Sequence, residues 1–503
     1  MSGSRSKQNQ KTDIVIIGAG LAGLAAAVLL ASDGYRVVLT ERNNSPGGKM
    51  QEIQAGGFRF DTGPSLLTMP SVLESLFART GIPRDRLNLI KMEPLCRYFY
   101  PDGSVFNASV NREKSLEAVR RLAPEDLTAY SQFLDDAELL YRRTADAFLF
   151  NPLYEWEDLK HLNLRDLFRI DAFRTVSQSI DQRFQSDYLR KFFKRFTTYN
   201  GSSPYQAPAT LNVIPHVELT LGGYYLQGGL YRLAEILEAR ALELGVDIQY
   251  NSTVREIEVI DGAVRGVQLE AGRRIFASRV LSNSDATETL HRLLPHSAQK
   301  GWRDWLIRRQ EPSSSGFVLL LGCNRSWEML SHHNIFFSEE YEKEFTSIFH
   351  EGNIPDAPTI YVTNSSCSDP ADAPEDGSNL FVLINAPSLS KGDLWEEQDS
   401  SRLADRLTGK LEAAGLGGLE ESVVYRHWIT PMDFYSRFRT NAGSIYGSSS
   451  NKRLSAFFRP ANKVREVNGL YLAGGSTHPG GGIPLVLLSA MHAVDLIQRS
   501  EDG

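Results

Sequence analysis

Residues 13–41, DIVIIGAGLAGLAAAVLLASDGYRVVLTE, constrain the fold more tightly than any other stretch of the chain. Asp13-Ile-Val-Ile-Ile17 is strand-like, Gly18-Ala-Gly20-Leu-Ala22-Gly23 is a spaced glycine turn, and the Ala- and Leu-rich run to Ser32 is helix-like. In that context each glycine has its own task. Gly18 permits the tight turn, Gly20 lets a pyrophosphate reach the backbone, and Gly23, next to Ala22, lets the helix pack closely on the sheet. The helix N-terminus then offers free N–H groups and a partial positive charge to phosphates. A second strand, Tyr35 to Thr40, ends at Glu41, where a carboxylate would bind ribose hydroxyls and repel a 2′-phosphate. The expectation is an α/β chain opening with a Rossmann-like dinucleotide site.

The same residues raise a membrane reading that has to be met. Ile14 to Ser32 is a run of 19 residues without a charge, and Arg5, Lys7 and Lys11 precede it. Such a run suits a signal peptide or a span. The glycine spacing and the flanking Asp13 and Asp33 instead fit strand, turn and helix. Residues 1–11 are expected to be a disordered N-terminus. The net charge of −7 and pI near 5.9 argue against general nucleic-acid binding. Cys96, Cys323 and Cys367 are scattered, with no CxxC or metal-ligand spacing, which suits a reducing compartment and predicts no metal site.

Downstream, Glu41-Arg42-Asn-Asn-Ser-Pro-Gly47-Gly48-Lys49 adds a glycine pair beside the first phosphate loop. This resembles the extended motif of amine-oxidase and phytoene-desaturase flavoproteins, which implies FAD and a chain crossing its diphosphate at Gly47-Gly48. By the same resemblance Asp61-Thr-Gly63-Pro64-Ser65 is a backbone turn near the flavin. Arg42 and Lys49 read as phosphate or adenosine contacts, or equally as solvated cations. Gly228-Gly229 precede an amphipathic helix from Leu230 to Leu244, followed by a strand at Val246–Ile248. A β-meander beginning at Val254, expected near the adenine, leads to Arg279–Asp285, which returns to the nucleotide sheet. The expected layout is a discontinuous FAD-binding domain (12–94, 223–289 and 461–503) and a mixed α+β substrate-binding domain (95–222 and 290–460), with 95–222 largely helical. Leu189, Phe192, Phe193 and Phe196 share one helical face with Arg190, Lys191, Lys194 and Arg195 opposite. That pattern suits a membrane-surface helix or a helix lining a cavity with a solvated back.

Several further motifs occur in fixed order: FDTGPSLLTMP (60–70), GSSPYQAPATLNVIPHVEL (201–219), TPMDF (430–434), FFRP (457–460) and GLYLAGGSTHPGGGIP (469–484). Over nearly its whole length the chain resembles the bacterial-type carotenoid (phytoene) desaturases. SGFVLLLG (315–322), HHNIFFS (332–338) and NAP (385–387) are most similar to the hydroxycarotenoid 3,4-desaturases, and HPGGGIP also to the diaponeurosporene oxygenases.

The resemblance implies a non-covalent FAD facing a long apolar tunnel. An acyclic carotenoid would gain C=C bonds by hydride transfer to flavin and proton loss, with a quinone or O2 reoxidising the cofactor. Glu218, with His216 beside it, is the candidate base or cation stabiliser; the alternative is a structural ion pair at Glu218 and a packed His216. Asp433 and Arg459 read as structural. Gly474-Gly475 form a turn beside the diphosphate. Gly480 to Gly482, then Ile483 and Pro484, bring the backbone and the N-terminus of a helix over Leu485–Gln498 to the flavin. Three other readings stay open: a terminal carotenoid oxygenase on the same scaffold, a non-redox prenyl or lipid carrier, and an amine oxidase. The expected location is cytoplasmic, peripherally bound to the inner face of the membrane.

Overall fold

The computed structural model describes residues 12–145, 149–150, 171, 173–299, 310–390, 395–452 and 459–500. The expected disordered N-terminus lies outside these residues, as do Phe457 and Phe458 of the FFRP motif.

A parallel sheet of five strands holds the glycine turn, in the order Leu470–Leu472, Arg279–Ser282, Ile14–Ile17, Val37–Thr40, Asp247–Gln249. Alternation along Ile14–Ile17 explains why its residues are all apolar. Ile14 and Ile16 pack with the helices, whereas Val15 and Ile17 pack with Val254, Ile257, Val264 and Val267 of the meander. The meander is three antiparallel strands, Val254–Ile260, Ala263–Leu269 and Arg274–Phe276. The helix Leu21–Ser32 lies between the sheet and two later helices, Arg232–Glu243 and Ile483–Arg499. It is buried almost all round, so it has no polar face and the run that suggested a span is core. Among the described residues no helix is long and apolar enough to cross a membrane.

A second sheet has seven strands, in the order Val423–Ile429, Ser315–Cys323, Ser378–Ala386, Ile360–Asn364, His333–Phe336, Cys96–Phe99, Val105–Ala108. Its pairs are antiparallel except where Cys96–Phe99 runs parallel to His333–Phe336. The described part of 95–222 is largely helical, as expected, but it opens with the two strands at 96–108 that join this sheet. They form a hairpin about Pro101-Asp-Gly-Ser104, and their short runs, paired across the sheet edge, gave no clear period in the sequence. Along the strand Ser315–Cys323, Phe317, Leu319 and Leu321 face a cluster with Leu403, Leu407 and Leu411 of the helix Glu397–Ala413. Val318 and Leu320 face the opposite way, with Phe58, Phe60 and Phe381.

A buried charge network joins the strand Phe58–Asp61 to the strand Tyr224–Leu226 and the turn Pro370–Asp372. Arg59 donates from Nε and Nη2 to the two carboxylate oxygens of Asp372, at 2.6 and 2.7 Å. Tyr225 Oη lies 2.9 Å from Asp61, and Asp61 accepts from the backbone N–H of Leu230 and Tyr231, each at 3.3 Å. Gly229 has φ +96°, and a Cβ there would collide with the Arg59 guanidinium, so the Gly228-Gly229 pair serves this junction.

The helix Asp187–Lys194 meets neither expectation made for its apolar face. Leu189, Phe192 and Phe193 are buried, and Phe193 packs on Phe133 and Phe184 at ring separations of 4.3 and 4.8 Å. Its cations are engaged rather than solvated: Lys191 donates to the carbonyls of Ser338 and Glu339, and Lys194 pairs with Asp181.

Candidate flavin and substrate site

One cavity of about 860 Å³ runs from the glycine turn of the parallel sheet to the face of the seven-stranded sheet that carries Val318 and Leu383. Backbone supplied by three distant segments forms its nucleotide end. Gly18 has φ +96°, and Gly20 caps the first helix without a side chain. A Cβ on Gly20 would stand 2.5 Å from Asn283 Oδ1, and one on Gly23 would collide with the Gly18 carbonyl oxygen. Gly47 donates to the Ala19 carbonyl at 2.8 Å, which lays Gly47-Gly48 directly across the turn. Asn283, absent from the sequence reading, locks the third segment by donating to the Ala473 carbonyl at 2.7 Å. Its only sequence signal was its place at the end of a strand returning to the sheet.

Of the residues proposed for the cofactor, Gly18, Gly20, Ala22, Glu41, Arg42, Gly47, Gly48, Lys49, Gly63, Pro64, Val254, Gly474, Gly475, Gly482, Ile483 and Pro484 all line this cavity. Gly23 stands behind the wall, where its missing side chain admits the helix. Glu41 is buried: Oε2 accepts from Ala19 N at 2.7 Å and Oε1 from Asn43 N at 2.8 Å. Oε1 also accepts from Asn43 Nδ2 at 2.9 Å, so Oε2 is the oxygen that keeps a second lone pair for a ribose hydroxyl. Gly482, with φ +105°, caps the helix Ile483–Arg499, whose first turn carries Pro484.

Two cations at the nucleotide end are desolvated. Burial pushes the Lys49 ammonium below its ordinary pKa, and its Nζ donates to the Ile445 carbonyl. Burial also pushes Arg459 down, to about 10, with Asp285 opposing. Its guanidinium donates to the carbonyls of Gly475 at 2.8 Å and Tyr446 at 3.2 Å. Among the described residues no carboxylate makes an ion pair with either cation. Arg459 therefore faces the cavity instead of only bracing its motif, as the sequence had suggested. Arg42 is lowered first by burial and then by Arg439. A glycine cradle too narrow for side chains and two desolvated cations without counter-ions fit the diphosphate of a dinucleotide.

The sequence profile of the flavin-containing amine oxidoreductases matches residues 21–498. The chain belongs to that family. It is an FAD-dependent oxidoreductase of the flavin amine-oxidoreductase fold, and the cradle described above is the part of the fold that would hold FAD. The chain is 36% identical over 496 residues to a 4,4'-diapolycopene oxygenase of Methylomonas sp., covering 98% of this chain and 99% of the other. It is 34% identical to a 4,4'-diaponeurosporene oxygenase of Staphylococcus haemolyticus, with 97% of each chain covered. A 1-hydroxycarotenoid 3,4-desaturase of Flavobacterium sp. is 35% identical, with 97% and 99% covered. The fold is that of a solved oxidoreductase from Methanosarcina mazei, at TM-score 0.66 and 16% identity over 97% of this chain and 100% of that one. A redesigned putrescine oxidase superposes equally well, with TM-score 0.66, 16% identity and coverage of 97% and 99%.

Beyond the flavin cradle, this family member's cavity continues over apolar side chains. Val318, Leu383, Tyr361 and Ile335 stand in register across four strands and form its floor. Tyr361 Oη lies 2.7 Å from Ser65 Oγ, next to the Gly63-Pro64 turn, and 2.7 Å from His333 Nδ1. His333 is buried and held neutral by desolvation first, then by His332 and Arg195.

The two residues proposed for catalysis separate. Glu218 lies on the cavity wall, paired with Arg195 and accepting from Tyr199 Oη. His216 is not among the lining residues; it packs against Tyr141 at 5.0 Å, and burial lowers its pKa. Glu218 and His216 are two apart on the short helix Ile214–Leu219, and a helix turns through about 200° over two residues, so they point opposite ways. Helical periodicity puts Arg195 among the cations opposite the apolar face, but the helix ends at Lys194 and the chain turns Arg195 inward.

Proposed function

We propose that the protein oxidises an acyclic carotenoid, introducing C=C bonds next to the existing polyene. The observation that carries this reading is the apolar floor of Val318, Leu383, Tyr361 and Ile335, continuous with the flavin cradle. A polyene offers no group for hydrogen bonding along its length, so its recognition needs shape and apolar surface, which this floor supplies. The names of the relatives support the same substrate class.

Bound FAD supplies the two-electron acceptor for each C–H oxidation. The protein's part is to align the chain against the cofactor and to exclude water. Desaturation removes two electrons and two protons per double bond, and a quinone or O2 takes the electrons to close the balance. Glu218 pairs with Arg195 on the cavity wall, where it would face positive charge developing on the polyene. It is tied up in that pair, which favours charge stabilisation over proton abstraction.

A second reading, terminal oxygenation of the same polyene, is favoured by the oxygenases among the relatives. Product mass separates the two. Incubation of the FAD-loaded protein with acyclic carotenes and an acceptor should give a red-shifted product lighter by pairs of hydrogens. A gain of oxygen would establish the oxygenase, and an unchanged spectrum with every acyclic carotene would overturn both. The hydrocarbon substrate partitions into bilayers, so peripheral attachment to the cytoplasmic face of the membrane is part of the proposal. Vesicle flotation checks it, and protein left wholly at the bottom of the gradient would contradict it.

A further inference from the structure

The cavity floor has a second row. Continuing past the pair Tyr361 and Leu383, the two chains lead in two more residues to Thr359 and Asn385, which both line the cavity. Two residues of strand place them ~7 Å beyond the apolar row. Above them the helix Tyr341–Thr346 brings Glu344 into the same cavity. Glu344 is buried, and its two oxygens are treated unequally. Oε2 accepts from Thr359 N at 3.0 Å and from Ser338 Oγ at 3.4 Å, whereas Oε1 has no partner.

Such an arrangement is poorly explained as packing. A buried carboxyl oxygen without a partner costs stability, and an apolar side chain would have fastened this helix to the sheet at no such cost. Burial also raises the Glu344 pKa, to about 7, so near neutrality the group is divided between acid and carboxylate. In either form it complements a hydroxyl, which donates to the carboxylate or accepts from the acid. The side-chain amide of Asn385, beside it, supplies both a donor and an acceptor to the same place.

We propose that Glu344 and Asn385 form a polar end-group subsite that selects acyclic carotenoids bearing a terminal hydroxyl over the corresponding hydrocarbons. The proposal rests on the reading of the cavity as a carotenoid site. It adds which end of which substrate class the cavity holds. A hydroxyl placed there satisfies the unpartnered oxygen, whereas a hydrocarbon end leaves it buried and unpaired. Discrimination follows from that difference.

The test compares a hydroxylated acyclic carotene with its hydrocarbon counterpart on the FAD-loaded wild type, Glu344→Gln and Glu344→Leu. Both kcat/KM and equilibrium binding, read by quenching of protein fluorescence, are measured. The expected result is about a tenfold to hundredfold loss for Glu344→Leu on the hydroxylated substrate alone. Glu344→Gln, which keeps an acceptor and a donor, should retain most of the preference. An equal loss on both substrates, or no change on either, overturns the subsite. If Glu344→Leu fails to retain flavin, Asn385→Leu answers the same question by the same ratio. If the wild type converts neither carotene, the functional reading falls, and the binding preference alone still decides the subsite.

Discussion

The Arg195 guanidinium meets the Glu218 carboxylate on the cavity wall, with Nη2 2.9 Å from one oxygen and 3.2 Å from the other, and both side chains are buried. Burial works against the Arg195 charge, but Glu218 and the hydroxyls of Tyr98 and Tyr199 outweigh it and hold its pKa above the ordinary value. The rings of Tyr98, Phe196 and Tyr199 stand around the guanidinium, the nearest centroid 4.4 Å away.

Breaking this pair from one side should be costly. Glu218→Gln leaves a buried guanidinium without its counter-ion and is expected to lower stability by about 3–5 kcal/mol. The double variant Glu218→Gln with Arg195→Met should lose less than the sum of the two single variants, as read from urea midpoints. Additive losses would show that the two side chains do not depend on each other.

The glycine turn gives a prediction that needs no assay of turnover. A Cβ on Gly23 would strike the Gly18 carbonyl oxygen, backbone that cannot rotate away. Gly23→Ala should therefore purify without flavin absorbance. Gly481→Val should do the same from the other side of the cradle, since a Cβ there already stands 3.1 Å from the Tyr446 ring. Normal flavin content in both variants would remove the cradle assignment.

Lys49 and Arg459 are desolvated and carry no carboxylate partner among the described residues. A bound diphosphate would supply the missing charge, so Lys49→Met and Arg459→Met should each weaken FAD about tenfold to a hundredfold. Without cofactor, Lys49→Met should be at least as stable as the wild type, because a buried cation is gone. Fluorescence titration with FAD and urea denaturation of the apoprotein check the two halves. Unchanged FAD affinity would place the diphosphate elsewhere.

Glu344 makes stability depend on pH in a direction opposite to that of a salt-bridged carboxylate. Burial pushes its pKa up to about 7, from an ordinary carboxyl value of 4.5. Between those values the native state binds the proton that the unfolded chain has released, so stability falls as pH rises through that window. The full difference is roughly 3 kcal/mol at 1.36 kcal/mol per pH unit. Glu344→Gln should flatten that part of the stability profile. Parallel wild-type and variant profiles from pH 4.5 to 7 would show that burial does not hold the proton there.

The nucleotide end of the cavity is governed by local backbone, which neighbouring residues spell out. Gly18, Gly20 and Gly23 between a strand and a helix admit one arrangement, and Gly47-Gly48 and Gly474 to Pro484 carry the same imprint of chain that must come close to something. Backbone conformation and its steric limits are written in neighbouring residues, so the nucleotide end of the cavity was legible before any fold was known. The polar groups at the substrate end were not. Arg195 reads as one cation among several, and only the end of its helix turns it onto Glu218. His216 and Glu218 look like partners two residues apart, and the helix sends them to opposite sides. Glu344 sits in an ordinary acidic helix until two paired chains lead Thr359 and Asn385 into the same cavity. Pairing across a sheet and burial are properties of residues far apart in the chain. The tertiary structure alone decided which charged groups lost their water and what they face.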